Sequence, residues 1–231
     1  MCVYWHSEGA GGKLRNYHKD KTNACVQRGI RLIHVTDYQW MTNRDLVESR
    51  LRAILGQSTK VSARKCTVRS IDHRLYADFC TLTHLQGSAV SSVRYGLYHN
   101  NTLVAVMSFA KPRYNREYQW ELIRFSTALN TTVVGGASKL FAAFVREYNP
   151  NSVISYCDLS WNTGKVYEAL GFSLTGTSAP NYRYFHTSNP YKLLSRVAFQ
   201  KHKLASMLQH FNPELSEWEN MQANGYDRIL S

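Results

Sequence analysis

Apolar positions recur at helical spacing in some parts of this chain and alternate or run together in others. Residues 16–28 read as a helix, which Gly29 stops by taking the backbone to positive φ. The β-branched run 30–35 reads as a strand. Thr42, with Asp45 three positions on, reads as the cap of a second helix. Its apolar face is Leu46, Val47, Leu51, Ile54 and Leu55; Arg44, Arg50 and Arg52 lie mostly off that face, and Gly56 ends it. Gly9, Ala10, Gly11 and Gly12 read as a flexible loop.

Residues 57–69 are polar and basic, Arg64 and Lys65 among them, and read as a linker with a short strand. A helix is predicted around 76–85, ending at Gln86-Gly87. From Ser91 the texture changes. Strands at 93–98 and 103–109 are joined by a turn over 99–102, where Asn100 and Asn101 tolerate positive φ. A strand at 118–126 leads to Val133-Val134-Gly135-Gly136-Ala137-Ser138-Lys139 and a helix to about Tyr148. A strand at 152–157, a helix at 163–170 ending in Gly171-Phe172, and a strand near 182–185 follow. Antiparallel strands, then strand, glycine loop, helix, strand and helix, define an α+β class. The expected organisation is a piece at 1–56, a linker region at 57–87 and a domain at 88–231.

Composition narrows the function. The 231 residues carry 28 Lys+Arg against 16 Asp+Glu, a net +12. Residues 1–86 alone hold 14 basic and 7 acidic side chains, an excess of +7. With aromatics at 13%, that balance points to a polyanion that also offers flat faces, namely a nucleic acid, with plain solubility as the other reading. The longest apolar stretches, such as 103–107, are far short of the ~20 residues a membrane span needs, so no membrane partner is expected. Cys2, Cys25, Cys66, Cys80 and Cys157 are odd in number and form no CxxC pair, which argues against a disulfide framework and for a reducing compartment.

Glycines at 135 and 136 before a helix let backbone N–H groups approach an anion. With Ser155-Tyr156-Cys157-Asp158 and the run from Trp161 and Asn162 through Tyr167 to Gly171-Phe172, they resemble the GNAT acyltransferase fold over roughly 88–186. The resemblance implies that Val134, Gly135, Gly136, Ala137, Ser138 and Lys139, with Asn162, hold acetyl-CoA or another acyl-CoA. It also implies that Tyr167 acts as general acid toward the thiolate. The position three before Gly135, where the family carries Arg or Gln, is Thr132 here. Residues 120–125, the Gly-Gly-Ala-Ser-Lys-Leu-Phe run and 154–158 are similar to the Mom family of phage DNA-modifying proteins and to the C-terminal half of Hef-like phage homing endonucleases. For Mom-like chemistry on an exocyclic base amine, Asp158 takes a proton and Arg124 holds an anion. A plain loop carboxylate is the other reading of Asp158.

Tyr4-Trp5-His6, residues 16–22, 29–35 and 37–40 resemble the second half of a Vsr-type nuclease of the PD-(D/E)xK class, as carried by Hef-like homing endonucleases. That implies a DNA wedge of Tyr4 and Trp5 and a general base at His6. The metal-binding carboxylates of that class lie upstream of the triplet, so a truncated nuclease part and no metal are expected. Arg44, Arg50, Arg64 and Lys65 are expected phosphate contacts. The functional expectation is a DNA-associated GNAT-fold protein of phage type, acting in the cytoplasm of an infected bacterium. A homing endonuclease completed by another copy or chain, and a non-enzymatic inhibitor of a host protein, remain the alternatives. At the other end, 224–229 resembles the lead-in to a final strand.

Overall fold

A computed structural model describes residues 2, 4–12, 14 and 16–230. In chain order the elements are α1 (Tyr17–Gln27), α2 (Asp37–Thr42), α3 (Arg44–Ile54), β1 (Thr59–Ser62), β2 (Cys66–Ser70), α4 (His73–Thr83), β3 (Val93–His99) and β4 (Thr102–Ala110). Then come β5 (Trp120–Thr127), β6 (Thr131–Val134), α5 (Gly136–Tyr148), β7 (Val153–Ser155) and α6 (Lys165–Ala169). The last are β8 (Tyr182–His186), β9 (Asn189–Ser195), α7 (Lys201–Leu204), α8 (Glu217–Ala223) and β10 (Tyr226–Leu230). The class is α+β. No helix among the described residues is long and apolar enough to cross a membrane.

The chain forms two compact units, Asn43–Thr175, and Met1–Thr42 joined with Gly176–Ser231. This division differs from the sequence reading in two ways. Residues 57–87 are part of the Asn43–Thr175 unit and carry β1, β2 and α4. The other unit is discontinuous, and 176–231 belongs with 1–42.

In the Asn43–Thr175 unit the main sheet runs β2-β3-β4-β5-β7. Neighbours are antiparallel except β5 and β7. The hairpin β3–β4 turns at Asn100 (φ 48°) and Asn101 (φ 62°), as its sequence predicts. On β4, Ala105, Met107 and Phe109 join the core with Leu97, Leu122, Leu140 and Phe144, which includes the buried face of α5. Val106 points the other way, to Ile71, and to Tyr76 and Cys80 of α4. Helices on both faces explain why β4 is an unbroken apolar run. The rings of Phe109 and Phe144 stack with centroids 3.7 Å apart.

Beside this sheet, β1 pairs in parallel with β6, Thr59 opposite Thr131 through Ser62 opposite Val134. Ser58 Oγ and Thr132 Oγ1 lie 2.6 Å apart, and Ser49 Oγ of α3 accepts from Asn130 N at 2.7 Å. Thr132 is thereby committed to strand pairing. The second helix is capped at Asn43; Thr42 ends the separate helix α2. Leu46 and Val47 are buried as predicted, whereas Leu55 is 70% exposed.

In the discontinuous unit β8 lies between β10 and β9, all antiparallel. Tyr184, Phe199, Leu204 and Met221 form its core. The predicted strand at 30–35 is irregular chain, because the sheet of this unit is built from C-terminal strands instead. Ser7 bridges to Ile229, and Asp227, 3% exposed, accepts from Ser7 Oγ (2.7 Å), Gly9 N (2.9 Å) and Ala10 N (2.7 Å). Arg228 grips Glu8 through two bonds of 2.6 and 2.9 Å. The glycine loop is therefore a fitted element rather than a flexible one: a Cβ on Gly9 would stand 2.9 Å from the Asp227 carboxylate. The stretch 224–229, expected as the lead-in to a final strand, is itself mostly strand, as β10 pairs with β8.

Candidate functional site

Strands β5 and β7 run side by side for three rungs, Trp120–Val153, Glu121–Ile154 and Leu122–Ser155. Beyond Leu122, β5 continues to Thr127 while β7 ends. That is why β7 is shorter than the predicted 152–157. The chain turns away through Tyr156 and Asp158 to Trp161 and α6. Where the strands part, a cleft of about 120 Å³ opens. Arg50, His84, Arg124, Asp158, Asn162 and Tyr167 all line it. A parallel pair that splays at its C-terminal end is a natural place for a ligand, since backbone groups there lose their ladder partners.

Each lining group has a defined state. Tyr167 leans edge-on against Phe172, with centroids 5.8 Å apart, and its hydroxyl reaches Tyr156 O at 3.4 Å. Burial pushes the phenol above its ordinary range, so it keeps its proton. Arg124 donates from Nε to Gly87 O (3.1 Å) and from Nη1 to Ile123 O (2.9 Å). It forms no ion pair with a carboxylate among the described residues, and burial lowers its pKa. His84 Nδ1 accepts from Gln86 N at 3.1 Å, which puts the ring proton on Nε2. Burial, then Arg124, then Arg50 drive the His84 pKa down to about 3. Two guanidiniums and a neutral imidazole thus share the cleft.

On the opposite wall, Asp158 Oδ1 accepts from Ser160 N (2.9 Å) and Ser160 Oγ (2.5 Å). Asn162 Nδ2 donates to Asp158 O (3.1 Å), and Asn162 Oδ1 accepts from Arg50 Nη2 (3.2 Å). The Arg50 guanidinium lies 5.2 Å from the ring centre of Trp161, which is 2% exposed. Asn162 is therefore a brace between the Asp158 turn and Arg50.

The glycine loop does not line the cleft. Gly135 takes φ +77° as N-cap of α5, and a Cβ on Gly136 would stand 2.9 Å from Val133 Cγ1. Local geometry alone accounts for both glycines. The amides of Gly136, Ala137 and Ser138 precede the first intrahelical bond, from Lys139 N to Gly135 O at 3.0 Å. Val134, Gly135 and Ser138 are exposed, and the first turn carries no acidic residue. These features fit the pyrophosphate of an acyl-CoA. Lys139 does not take part: its ammonium donates to Ala63 O (2.9 Å) and Cys66 O (2.5 Å). Arg64 and Lys65 are exposed on the 3₁₀ turn Ala63–Lys65, whose Ala63 lies near Gly135 at the start of α5.

The remaining expected DNA contacts are scattered. Arg44 is exposed and pairs with Glu48 at 2.8 Å, while Arg50 is part of the cleft. Tyr4, Trp5 and His6 are in the discontinuous unit. Tyr4 packs toward Phe185 and Ile229, and Trp5 meets Tyr4 edge-on at 5.0 Å. His6 stacks on His18 at 5.3 Å, and His18 meets His34 at 5.3 Å. Burial, then His34 and His6, lowers the His18 pKa to about 4. Among the described residues no group of three or more His, Cys, Asp or Glu side chains is placed to hold a metal ion.

Sequence reasoning missed His84 and Trp161. His84 sits in no motif, Trp161 reads only as the start of the run to Gly171-Phe172, and the fold brings them beside Arg124 and Arg50. No protein-family model matches the chain, and no curated protein matches it.

Proposed function

We propose that the Asn43–Thr175 unit is a GNAT-like, Mom-like transfer module that receives the end of an acyl-CoA-type donor in the β5–β7 cleft, in a chain that acts on DNA. One observation carries the reading: β5 and β7 part at Leu122–Ser155 over a cleft containing Tyr167 and an Arg124 that forms no ion pair with a carboxylate among the described residues. A half-buried cation without a counter-charge is costly, and it gains when it faces the donor's carbonyl oxygen and the negative charge that develops on transfer. When bound, the donor supplies an activated acyl group. Tyr167 Oη holds a proton where negative charge would develop, and Asp158, exposed at the rim, accepts one from an amine. The amides of Gly136, Ala137 and Ser138 orient phosphate oxygens. The +12 charge supports DNA as the acceptor.

The test is transfer of label from acetyl-CoA to DNA by the intact chain. The reading expects labelled DNA with wild type and a large loss with Tyr167→Phe, without loss of donor binding. A second reading, a module that binds without transferring, is favoured by the commitment of Lys139 to Ala63 and Cys66. It takes over if donor and DNA both bind and no label moves.

A further inference from the structure

The loop from β4 to β5 presents an aromatic corner that folding does not explain. Tyr114 is 76% exposed and Tyr156 is 52% exposed, and their rings meet at 90° with centroids 5.9 Å apart. Two large rings left in water side by side usually mark a binding surface. The loop that carries Tyr114 is anchored at Arg113. Glu121, 1% exposed on β5, accepts from Arg113 N (2.9 Å) and from Arg113 Nη2 (3.1 Å). A buried carboxylate spent on anchoring a loop fixes the position of Tyr114, and the Arg113 guanidinium lies 5.9 Å from its ring centre. Lys111 and Arg116 are exposed on the same loop.

We infer that Tyr114 and Tyr156 form a stacking corner for unpaired bases of a DNA strand, with Lys111 and Arg116 facing its phosphates. The occupant must offer flat π-faces and a polyanionic backbone together, and single-stranded nucleic acid does both. Perpendicular rings suit one base laid flat on each face, or one base stacked on one ring with its edge toward the other. Duplex DNA hides its base faces and cannot use the corner. Tyr156 also lines the β5–β7 cleft, so a base held here stands at the entrance to Tyr167 and Asp158. The inference rests on the proposed DNA reading and adds the form of DNA that is bound and the residues that hold it.

The test is fluorescence anisotropy with a labelled short oligothymidylate and with a duplex of equal length, on the intact chain at about 50 mM salt. Tyr114→Ala should weaken oligothymidylate binding about tenfold or more, since an aromatic stack contributes ~1–3 kcal/mol per base. Tyr114→Phe, which keeps the ring, should bind as wild type does, and duplex affinity should be the same in all three. Tyr114 is so exposed that its replacement leaves the melting temperature in place, which a thermal scan checks. Absence of oligothymidylate binding by wild type, unchanged binding by Tyr114→Ala, or an equal loss on duplex would each overturn the inference. Coenzyme A binding to wild type and Arg124→Met, measured alongside, reports on the cleft separately. If Arg124→Met loses coenzyme A and Tyr114→Ala loses nothing, the corner is wrong and the donor site stands.

Discussion

Ser155 Oγ donates to Leu122 O at 2.9 Å, fastening β7 to β5 at the last rung before the strands part. The bond fixes the apex of the cleft, and the same hydroxyl lies against the Tyr167 phenol. Ser155→Ala should cost about 1 kcal/mol of stability by leaving the carbonyl with one bond fewer. It should also weaken anion binding in the cleft, where a remote substitution of equal cost does not. Denaturant titration together with coenzyme A calorimetry separates the two effects.

Gly136 is held by Val133. A methyl at 136 would stand 2.9 Å from Val133 Cγ1 and 3.0 Å from its Cβ, and a β-branched side chain has little freedom to yield. Gly136→Ala should therefore destabilise the chain by about 1–2 kcal/mol, despite the better helix propensity of alanine. Adding Val133→Ala should recover most of that loss, and a double-mutant cycle measures the coupling. Additive losses would mean that the glycine is required for another reason.

His84 titrates in the direction set by its burial. Its folded pKa of about 3 lies below the ordinary 6.5, so the unfolded chain takes up the proton first. The contribution is complete above about pH 6.5 and is lost progressively as pH falls toward 3. His84→Gln should flatten the fall in melting temperature over that window while leaving the value at pH 8 little changed. An identical acid limb in wild type and variant would show that His84 is not held neutral by Arg124, Arg50 and burial.

Asp227 gathers donors from a segment about 220 residues away in sequence, Ser7 Oγ, Gly9 N and Ala10 N. Asp227→Asn removes the charge and turns an amide N–H₂ toward groups that are themselves donors. A loss of about 2–3 kcal/mol is expected. Hydrogen exchange should show faster opening of residues 7–10 together with β10. Protection unchanged at both places would contradict the network.

Local signals in the sequence were sound where short-range geometry decides. Asn100 and Asn101 mark a turn that demands positive φ, and the apolar run of β4 marks a strand covered on both faces. Gly135 and Gly136 mark the start of α5, and they are explained by φ and by Val133 rather than by a ligand. Signals failed where the partner is distant. The β-branched run at 30–35 reads as a strand but finds its unit's sheet already made from β8, β9 and β10. The polar stretch 57–69 reads as a linker with a short strand, but it carries β1, which pairs with β6 more than 70 positions away, and most of β2, which pairs with β3. Of the candidate site, Tyr167, Asp158, Asn162 and Arg50 converge, and Arg124 joins them. Lys139 was attractive as a loop cation, yet two carbonyls hold it. His84 carries no pattern that a linear reading can see, and Trp161, inside the quoted run, carries none that points to Arg50.

The central question is whether the cleft between β5 and β7 receives the acyl end of an acyl-CoA-type donor. Isothermal titration of the intact chain with coenzyme A and acetyl-CoA, repeated on Arg124→Met, tests this most directly. Saturable binding by wild type is expected, with a loss of at least about tenfold in Arg124→Met, the ~1.5–3 kcal/mol of a hydrogen bond to a charged group, beyond what a remote substitution of equal stability cost produces. Absence of binding by wild type at millimolar ligand, or equal affinity in the two proteins, would contradict it.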